Sequence, residues 1–213
     1  MPNHGLTLMD TNKRDTMSYL EWGRAVISLE IEALTACLNR LDKSFTNAAQ
    51  CIKNSKGKVI ITGLGKSGHI GRKISATMSS LGTPSIFLHS GEALHGDMGI
   101  IQKTDILIAI SNSGKTAEVI KIAQKSKEIG LKTIIFTGNA KSPLAGLADI
   151  IIDIGVDKEA DHLNLAPTSS STVTLAVGDA LAVAVAKAKN YSAQDFAFVH
   201  AGGSLGKKSK RSK

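Results

Sequence analysis

Five short apolar runs constrain the architecture of this 213-residue chain more than any other feature. Each run is rich in Ile, Val and Leu at successive positions, without alternation of apolar and polar residues. That pattern is typical of parallel strands that are buried on both faces. The runs are Lys58–Thr62, Ser85–Leu88, Asp105–Ile110, Lys132–Thr137 and Asp149–Ile154.

Amphipathic stretches of helical length lie between these runs. They are Ser67–Leu81, Thr116–Ile129 and a short one near Pro143–Ala148. Gly82 and Gly130 follow the first two, as expected of glycines that end helices. Strand–helix–strand repetition implies right-handed crossovers and an α/β fold with a doubly wound sheet. If the strand order is flavodoxin-like, 2-1-3-4-5, the loops after the first and third strands flank one crevice.

Two further helical segments frame this core. Met17–Asn54 has the apolar spacing of a helical hairpin, and Leu175–Lys189 is a long helix with little charge. A helix that is apolar on most faces is buried, so the second should pack inside the domain or between subunits. No run of about 18 apolar residues exists, so we expect no membrane span. A polar N-terminus argues against secretion, and we interpret Cys37 and Cys51 as reduced thiols of a cytoplasmic protein.

The formal net charge of +8 first suggests a nucleic-acid partner, but its distribution weakens that interpretation. Removing the five basic residues of the C-terminal tail leaves a body of about +3, and no recognition motif accompanies the tail. We therefore expect a flexible N-terminus over residues 1–16, one domain over 17–206 and a solvated, disordered tail over 207–213. The alternative for the tail is a weak contact with an anionic partner. The tail residues are Lys207, Lys208, Lys210, Arg211 and Lys213.

Glycines follow the first predicted strand in the segment Gly63–Gly68, which fits GxGxxG. A dinucleotide site also needs an acid at the end of the second strand, where this chain has Leu88–Ser90, and Glu92 comes too late. A Walker A loop is excluded by spacing, because Ile60 stands where its first glycine is required.

The remaining interpretation of this segment is a glycine turn at the start of a helix. Gly65, Lys66 and Ser67 would then face the crevice, where a helix N-terminus can bind an anion. The alternative is a tight strand–helix turn with a solvated lysine.

A second polar loop, Ser111–Thr116, follows the third predicted strand. Its hydroxyls at Ser111, Ser113 and Thr116, with Asn112 among them, precede a helix whose first N–H groups are free. Together they predict a cradle for a phosphate group. The alternative is a helix N-cap, but a cap needs one hydroxyl rather than three.

The other strand ends carry weaker signals. The loop His89–Asp97 holds two histidines and two acids. His89 and His95 could converge on a metal, but their spacing matches no standard metal signature. We therefore expect this loop to make polar contacts with a sugar. Glu159 lies at the predicted crevice mouth, either as a functional acid or as a surface residue. The hydroxyl run Thr168–Thr172 is predicted to cap the long apolar helix. His200 precedes a Gly-Gly pair.

Three of these motifs occur together in one known family. The glycine loop, the segment SNSGKTAE and the ending FVHAGGSLGKK resemble the sugar isomerase (SIS) domain family, from about Met17 to Lys208. Within that family the chain is similar to arabinose 5-phosphate isomerases, whose product feeds the synthesis of Kdo for lipopolysaccharide and some capsules. The segment SGEALHGD and the ending HAGGSLG are the motifs most specific to this subgroup.

The resemblance implies a five-stranded flavodoxin-like sheet in a three-layer sandwich, with the serine loop as phosphate site. It places the family's functional residues on Lys66, Glu118, Glu159 and His200, with His95 lining the site. It also implies a homotetramer whose sites are shared between subunits and a phosphorylated pentose as substrate. We expect no cofactor, and no metal is required if positioned donors stabilise the oxyanion. Many relatives continue into CBS regulatory domains; since this sequence stops at Lys213, we expect any regulation to act on the SIS domain itself.

The predicted reaction moves a proton between adjacent carbons through an enediol, so it needs a base and a group that stabilises the oxyanion. We assign Glu159 as the base, His200 to ring opening and proton transfer, and Lys66 to the enediolate or to anchoring. Glu118 either compensates the helix dipole or takes part in acid–base chemistry. The alternatives are a hexulose-phosphate isomerase and a non-catalytic sugar-phosphate sensor; sensors of this fold usually carry a DNA-binding domain ahead of the SIS domain.

Overall fold

The computed structural model describes residues 18–200. The expectations for residues 1–16, for the tail 207–213 and for the glycines after His200 lie outside the described residues. The strands are β1 (Val59–Gly63), β2 (Ser85–His89), β3 (Ile106–Ile110), β4 (Lys132–Thr137) and β5 (Ile150–Asp153). The helices are α1 (Tyr19–Arg40), α2 (Lys43–Asn54), α3 (Gly65–Ser80), α4 (Ser90–Ala93), α5 (Ala117–Ile129), α6 (Ser169–Ala188) and α7 (Ala193–Val199).

The five strands form one parallel sheet in the order β2-β1-β3-β4-β5. This confirms the predicted flavodoxin-like order. Gly63, the last residue of β1, lies beside His89 of β2 and Ile110 of β3. The loops after these three strands therefore start from the same edge of the sheet, where open α/β sheets bind their ligands.

Separate hydrophobic cores cover the two faces of the sheet. Ile61 and Phe136 belong to the core on the side of α1, α2, α3 and α6, whereas Ile60 and Ile135 belong to the core on the side of α5. Successive residues of a strand thus point into different cores, which explains why the strands contain no regularly spaced polar positions. The result is the predicted three-layer α/β sandwich.

Two helical predictions needed correction. The stretch near Pro143–Ala148 forms only a 3-10 turn over Ala145–Leu147. The long apolar helix begins at Ser169 rather than Leu175, because the hydroxyl run lies inside the helix instead of ahead of it.

The helix α6 has the length and composition of a membrane span, and among residues 18–200 no other helix does. Its mean hydropathy reaches 1.4, but 56% of that window is buried within the chain. It packs against α1, α2 and α3. Core helices of globular proteins meet the same criterion. The contacts of α6 with three other helices agree with the prediction that it packs inside the domain.

The helices α3 and α6 run parallel and start at the same edge of the sheet. Near their middles Lys73 donates to Asp179 over 2.7 Å. At their C-terminal ends Lys189 donates to Thr83 over 3.2 Å. Because α3 starts directly after β1, the N-terminus of α6 also lies at the carboxyl edge of the strands. This brings the loop that leads into α6 to the crevice.

Candidate active site

The serine loop after β3 forms a compact cradle ahead of α5. Ser111 is only 3% exposed, and its Oγ lies 3.0 Å from Oγ1 of Thr116 and accepts from the Gly114 N–H over 3.2 Å. Ser113 is exposed, and its Oγ accepts from the Lys115 N–H over 3.2 Å. Thr116 occupies the N-cap position of α5, but its side chain makes no capping hydrogen bond. The geometry therefore does not support the N-cap alternative, and the start of α5 is open to an anion.

Gly114 fixes the shape of this cradle. Its φ of 65° is in the left-handed region, and a Cβ at this position would overlap the side chain of Ser142. The Gly114 carbonyl also accepts from the Leu144 N–H over 3.1 Å. A larger residue would therefore be strained and would push the cradle away from the loop after β4.

Asn112 offers an acceptor that the described residues do not use. Its backbone carbonyl accepts from the Gly138 N–H over 2.9 Å and from Oγ1 of Thr137 over 3.2 Å. Its side-chain Oδ1 is buried and has no hydrogen-bond partner among residues 18–200. A buried acceptor without a donor is costly, so this position in the loop carries an energetic penalty that nothing among the described residues offsets.

The glycine turn after β1 starts α3 in a similar way. Gly65 has a φ of 57°, and space around its Cα is open. Lys66 is exposed and Ser67 is half-buried. No side chain caps α3, whose N-cap residue is Leu64. Two helix N-termini without side-chain caps therefore flank the crevice between β1 and β3, and both favour a negatively charged ligand.

Glu159 caps α6 with its carboxylate. Its Oε2 accepts from the Thr168 N–H over 2.8 Å, from the Thr168 hydroxyl over 3.3 Å and from the Ser170 N–H over 3.1 Å. The prediction that the hydroxyl run caps this helix was wrong, because Thr168 makes no side-chain cap and its Oγ1 instead accepts from the Ala160 N–H. The carboxylate is thereby held at the carboxyl edge of the sheet.

Glu118 lies in the first turn of α5 and is half-buried. Its position agrees with dipole compensation at the helix N-terminus, and it leaves the acid–base alternative open. It belongs to the same helix start as the serine loop, so two of the predicted carboxylates, Glu118 and Glu159, lie at this edge of the sheet.

His200 ends α7 and lies apart from these groups. Its ring stacks on Phe196 with centroids 3.8 Å apart, and its Nδ1 is 2.9 Å from the Phe196 carbonyl oxygen. A carbonyl only accepts, so Nδ1 carries the proton and Nε2 keeps a free lone pair in the neutral ring. The helix α7 makes only sparse contacts with other elements, and Phe198 is 86% exposed.

The histidines after β2 do not form a metal centre within the described residues. His89 Nδ1 accepts from the Gly91 N–H over 3.3 Å, and His95 is exposed. Between residues 18 and 200 no three His, Cys, Asp or Glu side chains converge as metal ligands. The buried Ser90 hydroxyl donates to the Gly63 carbonyl over 3.1 Å and so ties this loop to the glycine turn.

A small cavity of about 140 Å³, which was not predicted from the sequence, lies beside the glycine turn between α3 and β2. Arg72 lies over the Phe87 ring there, 4.8 Å from its centroid. The α3 residues that line the cavity are three or four positions apart in the sequence. This spacing places them on one face of the helix and is the signal from which the cavity could have been predicted. The lining residues are Gly65, Gly68, His69, Arg72, Phe87 and His89.

The fold and these loops define a doubly wound α/β domain in which two helix N-termini without side-chain caps flank the crevice between the first and third strands. The family model of the SIS domain matches residues 52–184, which is more than half of the chain. The chain therefore belongs to the SIS domain family.

Known relatives of the chain share close to half of its residues. It is 47% identical to arabinose 5-phosphate isomerase KdsD of Pseudomonas aeruginosa over 92% of this chain and 60% of that protein. It is 52% identical to arabinose 5-phosphate isomerase KdsD of Francisella tularensis over 84% of this chain and 56% of that protein. The chain thus spans somewhat more than half the length of these curated relatives.

A solved structure covers the same region. It is a protein of Escherichia coli CFT073 in complex with arabinose 5-phosphate, and it superimposes with a TM-score of 0.83 at 40% sequence identity. The match covers 86% of this chain and 100% of the chain in that structure.

Proposed function

We propose that the chain is an aldose–ketose isomerase that interconverts D-ribulose 5-phosphate and D-arabinose 5-phosphate. The observation that carries this proposal is the Ser111–Thr116 cradle, whose hydroxyls precede an N-terminus of α5 that has no side-chain cap. The names of the relatives and the ligand of the Escherichia coli structure support the choice of substrate.

The phosphate of the substrate would bind at the serine loop, held by hydroxyls and by the N-terminus of α5. The carboxylate of Glu159 would remove the proton from one of the two reacting carbons and return it to the other, through an enediol. Its Oε1 is the oxygen for this task, because Oε2 is engaged at α6. Lys66 at the start of α3 would stabilise the developing oxyanion or anchor the ligand.

His200 would assist ring opening from a neighbouring subunit of a homotetramer. Two observations support this role: α7 makes only sparse contacts with the other described elements, and it is Nδ1 rather than Nε2 of His200 that faces the Phe196 carbonyl. The chain also exposes an apolar stripe on α1, with Ile27, Ile31 and Leu38 each more than half exposed. A cavity of about 680 Å³ lies beside it, lined mainly by apolar residues such as Trp22. Such a face is suited to burial against a second copy.

Mixing two inactive variants tests whether the site is shared. We expect K66A and H200A each to be inactive alone. After subunit exchange, up to about a quarter of the sites should recover, since each site draws Lys66 and His200 at random from the two variants. Activity of the mixture, with subunit exchange verified by mass spectrometry of the assembly, measures this. A mixture that stays inactive despite exchange would place both residues in one chain.

We place the reaction in the cytoplasm, where its product would supply Kdo for lipopolysaccharide or for a capsule. Cys37 and Cys51 are free, and burial raises the pKa of both thiols. Free, unreactive thiols are typical of a reducing compartment. We propose no nucleic-acid or membrane partner.

The direct test is incubation with ribulose 5-phosphate, with and without EDTA, while following arabinose 5-phosphate by NMR. We expect product at the same rate in both samples. No product would refute the substrate assignment, and loss of activity on chelation would refute the metal-free mechanism. Parallel incubation with a hexulose 6-phosphate tests the alternative isomerase, and calorimetric binding without turnover would indicate a sensor.

A further inference from the structure

The segment between Glu159 and Thr168 folds back on itself without regular secondary structure. Asp161 holds it together. Its Oδ1 accepts from the Leu163 N–H over 2.8 Å, and its Oδ2 accepts from the N–H groups of Leu165 over 2.6 Å and Ala166 over 2.7 Å. One carboxylate therefore fixes the backbone over most of the turn.

This turn is linked directly to Glu159. The Asn164 N–H donates to the Asp161 carbonyl over 3.0 Å, and Asn164 Oδ1 accepts from the Glu159 N–H over 2.7 Å. Asn164 can do this because it has a φ of 54°, a conformation that asparagine tolerates better than most residues. At the other end of the turn, Thr168 Oγ1 accepts from the Ala160 N–H over 2.7 Å. The position of Glu159 thus depends on a turn that Asp161 closes.

Among residues 18–200, Asp161 makes no hydrogen bond to another side chain. The nearby His162 is 88% exposed, and its Nδ1 lies 3.9 Å from Asp161 Oδ1, which is too far for a hydrogen bond. The Asp161 side chain itself is only 17% exposed. Hydrogen bonds from backbone N–H groups lower the pKa of Asp161 below its usual value, so at neutral pH it is a carboxylate that only accepts.

We propose that Asp161 is a positioning residue for the isomerisation. By holding the backbone of residues 163–166, it presents the Glu159 carboxylate with Oε2 on the α6 N-terminus. Oε1, which has no hydrogen-bond partner within residues 18–200, is then left for the substrate. This inference rests on the proposed function, in which Glu159 is the base. It does not depend on the phosphate cradle, which belongs to a different loop.

The kinetic test is D161N in a double-mutant cycle with E159Q. Either orientation of the asparagine amide places an NH₂ group against a backbone N–H, so the turn loosens. A displaced base costs about 100-fold in kcat, while KM should change less than about three-fold. In the E159Q background D161N should cost less than about three-fold, because Asp161 acts through Glu159. An equal loss in both backgrounds would mean a general structural role and would overturn the proposal.

D157N is the matched control, since it removes the same charge from an exposed position just ahead of Glu159. It should leave kcat and KM within about two-fold of wild type, as is usual for surface substitutions. D161A is a second variant that removes all three acceptor contacts, and it should give a larger fall in kcat than D161N. Wild-type kcat in folded D161A would contradict the proposal.

Amide hydrogen exchange gives a readout that does not depend on activity. In D161N the amides of Leu163, Leu165 and Ala166 should exchange faster, whereas amides of β3 and β4 should be unchanged. Unchanged exchange in the turn would refute the role of Asp161 as its organiser. If the wild type shows no isomerase activity, the proposed function fails, and the exchange result still decides how Asp161 shapes the turn.

Discussion

Replacing Glu159 by glutamine should lower kcat about 1,000-fold, within the range usual for loss of a general base. The glutamine side chain keeps one carbonyl oxygen, which can still accept from the Thr168 and Ser170 N–H groups that Oε2 now binds. The helix α6 should therefore remain capped, and KM should change little. Initial rates over a range of ribulose 5-phosphate concentrations measure both constants, and urea denaturation checks that E159Q is folded.

E118Q is the informative comparison, because Glu118 is the other candidate carboxylate at this edge. If E118Q lost about 1,000-fold in kcat while E159Q kept near-wild-type turnover, Glu118 would be the base. E159A adds a second effect, since it also removes the cap. It should be less stable than E159Q by about 0.5–2 kcal/mol, the usual cost of losing an N-cap.

Replacing Ser111 by alanine should raise KM about 10- to 100-fold with little change in kcat. The hydroxyl is part of the proposed phosphate cradle, and a hydrogen bond to a charged group contributes about 1.5–3 kcal/mol. The phosphate does not react, so this binding is the same in the ground state and the transition state. Steady-state kinetics with ribulose 5-phosphate measures the change, and binding of arabinose 5-phosphate by calorimetry should weaken equally.

S126A is the matched control for this variant. Ser126 is buried on α5, the helix that follows the cradle, and its Oγ has no hydrogen-bond partner within residues 18–200. Removing that hydroxyl should leave KM unchanged and should not destabilise the chain. A KM for S111A equal to that of S126A would place the phosphate elsewhere.

The sheet could be predicted almost completely from the sequence. The strand Lys132–Thr137 has the predicted bounds, and each of the other strands differs from its prediction by one residue at one or both ends. Runs of Ile and Val that are buried on both faces have few alternatives to a parallel sheet, so the local pattern and the tertiary structure agree. The carboxyl edge then follows from the topology, and with it the location of the glycine and serine loops.

The start of α6 could not be predicted in the same way. Capping rules look for a polar side chain next to the helix, and the run from Thr168 to Thr172 satisfies them. The actual cap comes from Glu159, nine residues before Thr168 in the chain, and depends on a turn that closes only in the folded protein. Asp161 and Asn164 have no local signal either, because acids and amides in a loop are normally solvated.

The position of His200 is a different case. A single chain places it directly after α7, a helix with sparse contacts to the other described elements. A sequence motif can assign such a residue to a site through resemblance to a family. In the proposed assembly, the contacts that hold His200 in place would come from a neighbouring subunit.

The engagement of Glu159 with α6 has a consequence for comparing members of this family. A descendant that lost catalysis and became a sensor would still need an acceptor for the amides of Thr168 and Ser170, so selection for stability alone could retain the acid. Its presence in a relative is thus weak evidence of enzymatic activity. A glutamine at this position keeps an acceptor for the helix but removes the base. It would therefore be stronger evidence that a relative binds its ligand without catalysing a reaction.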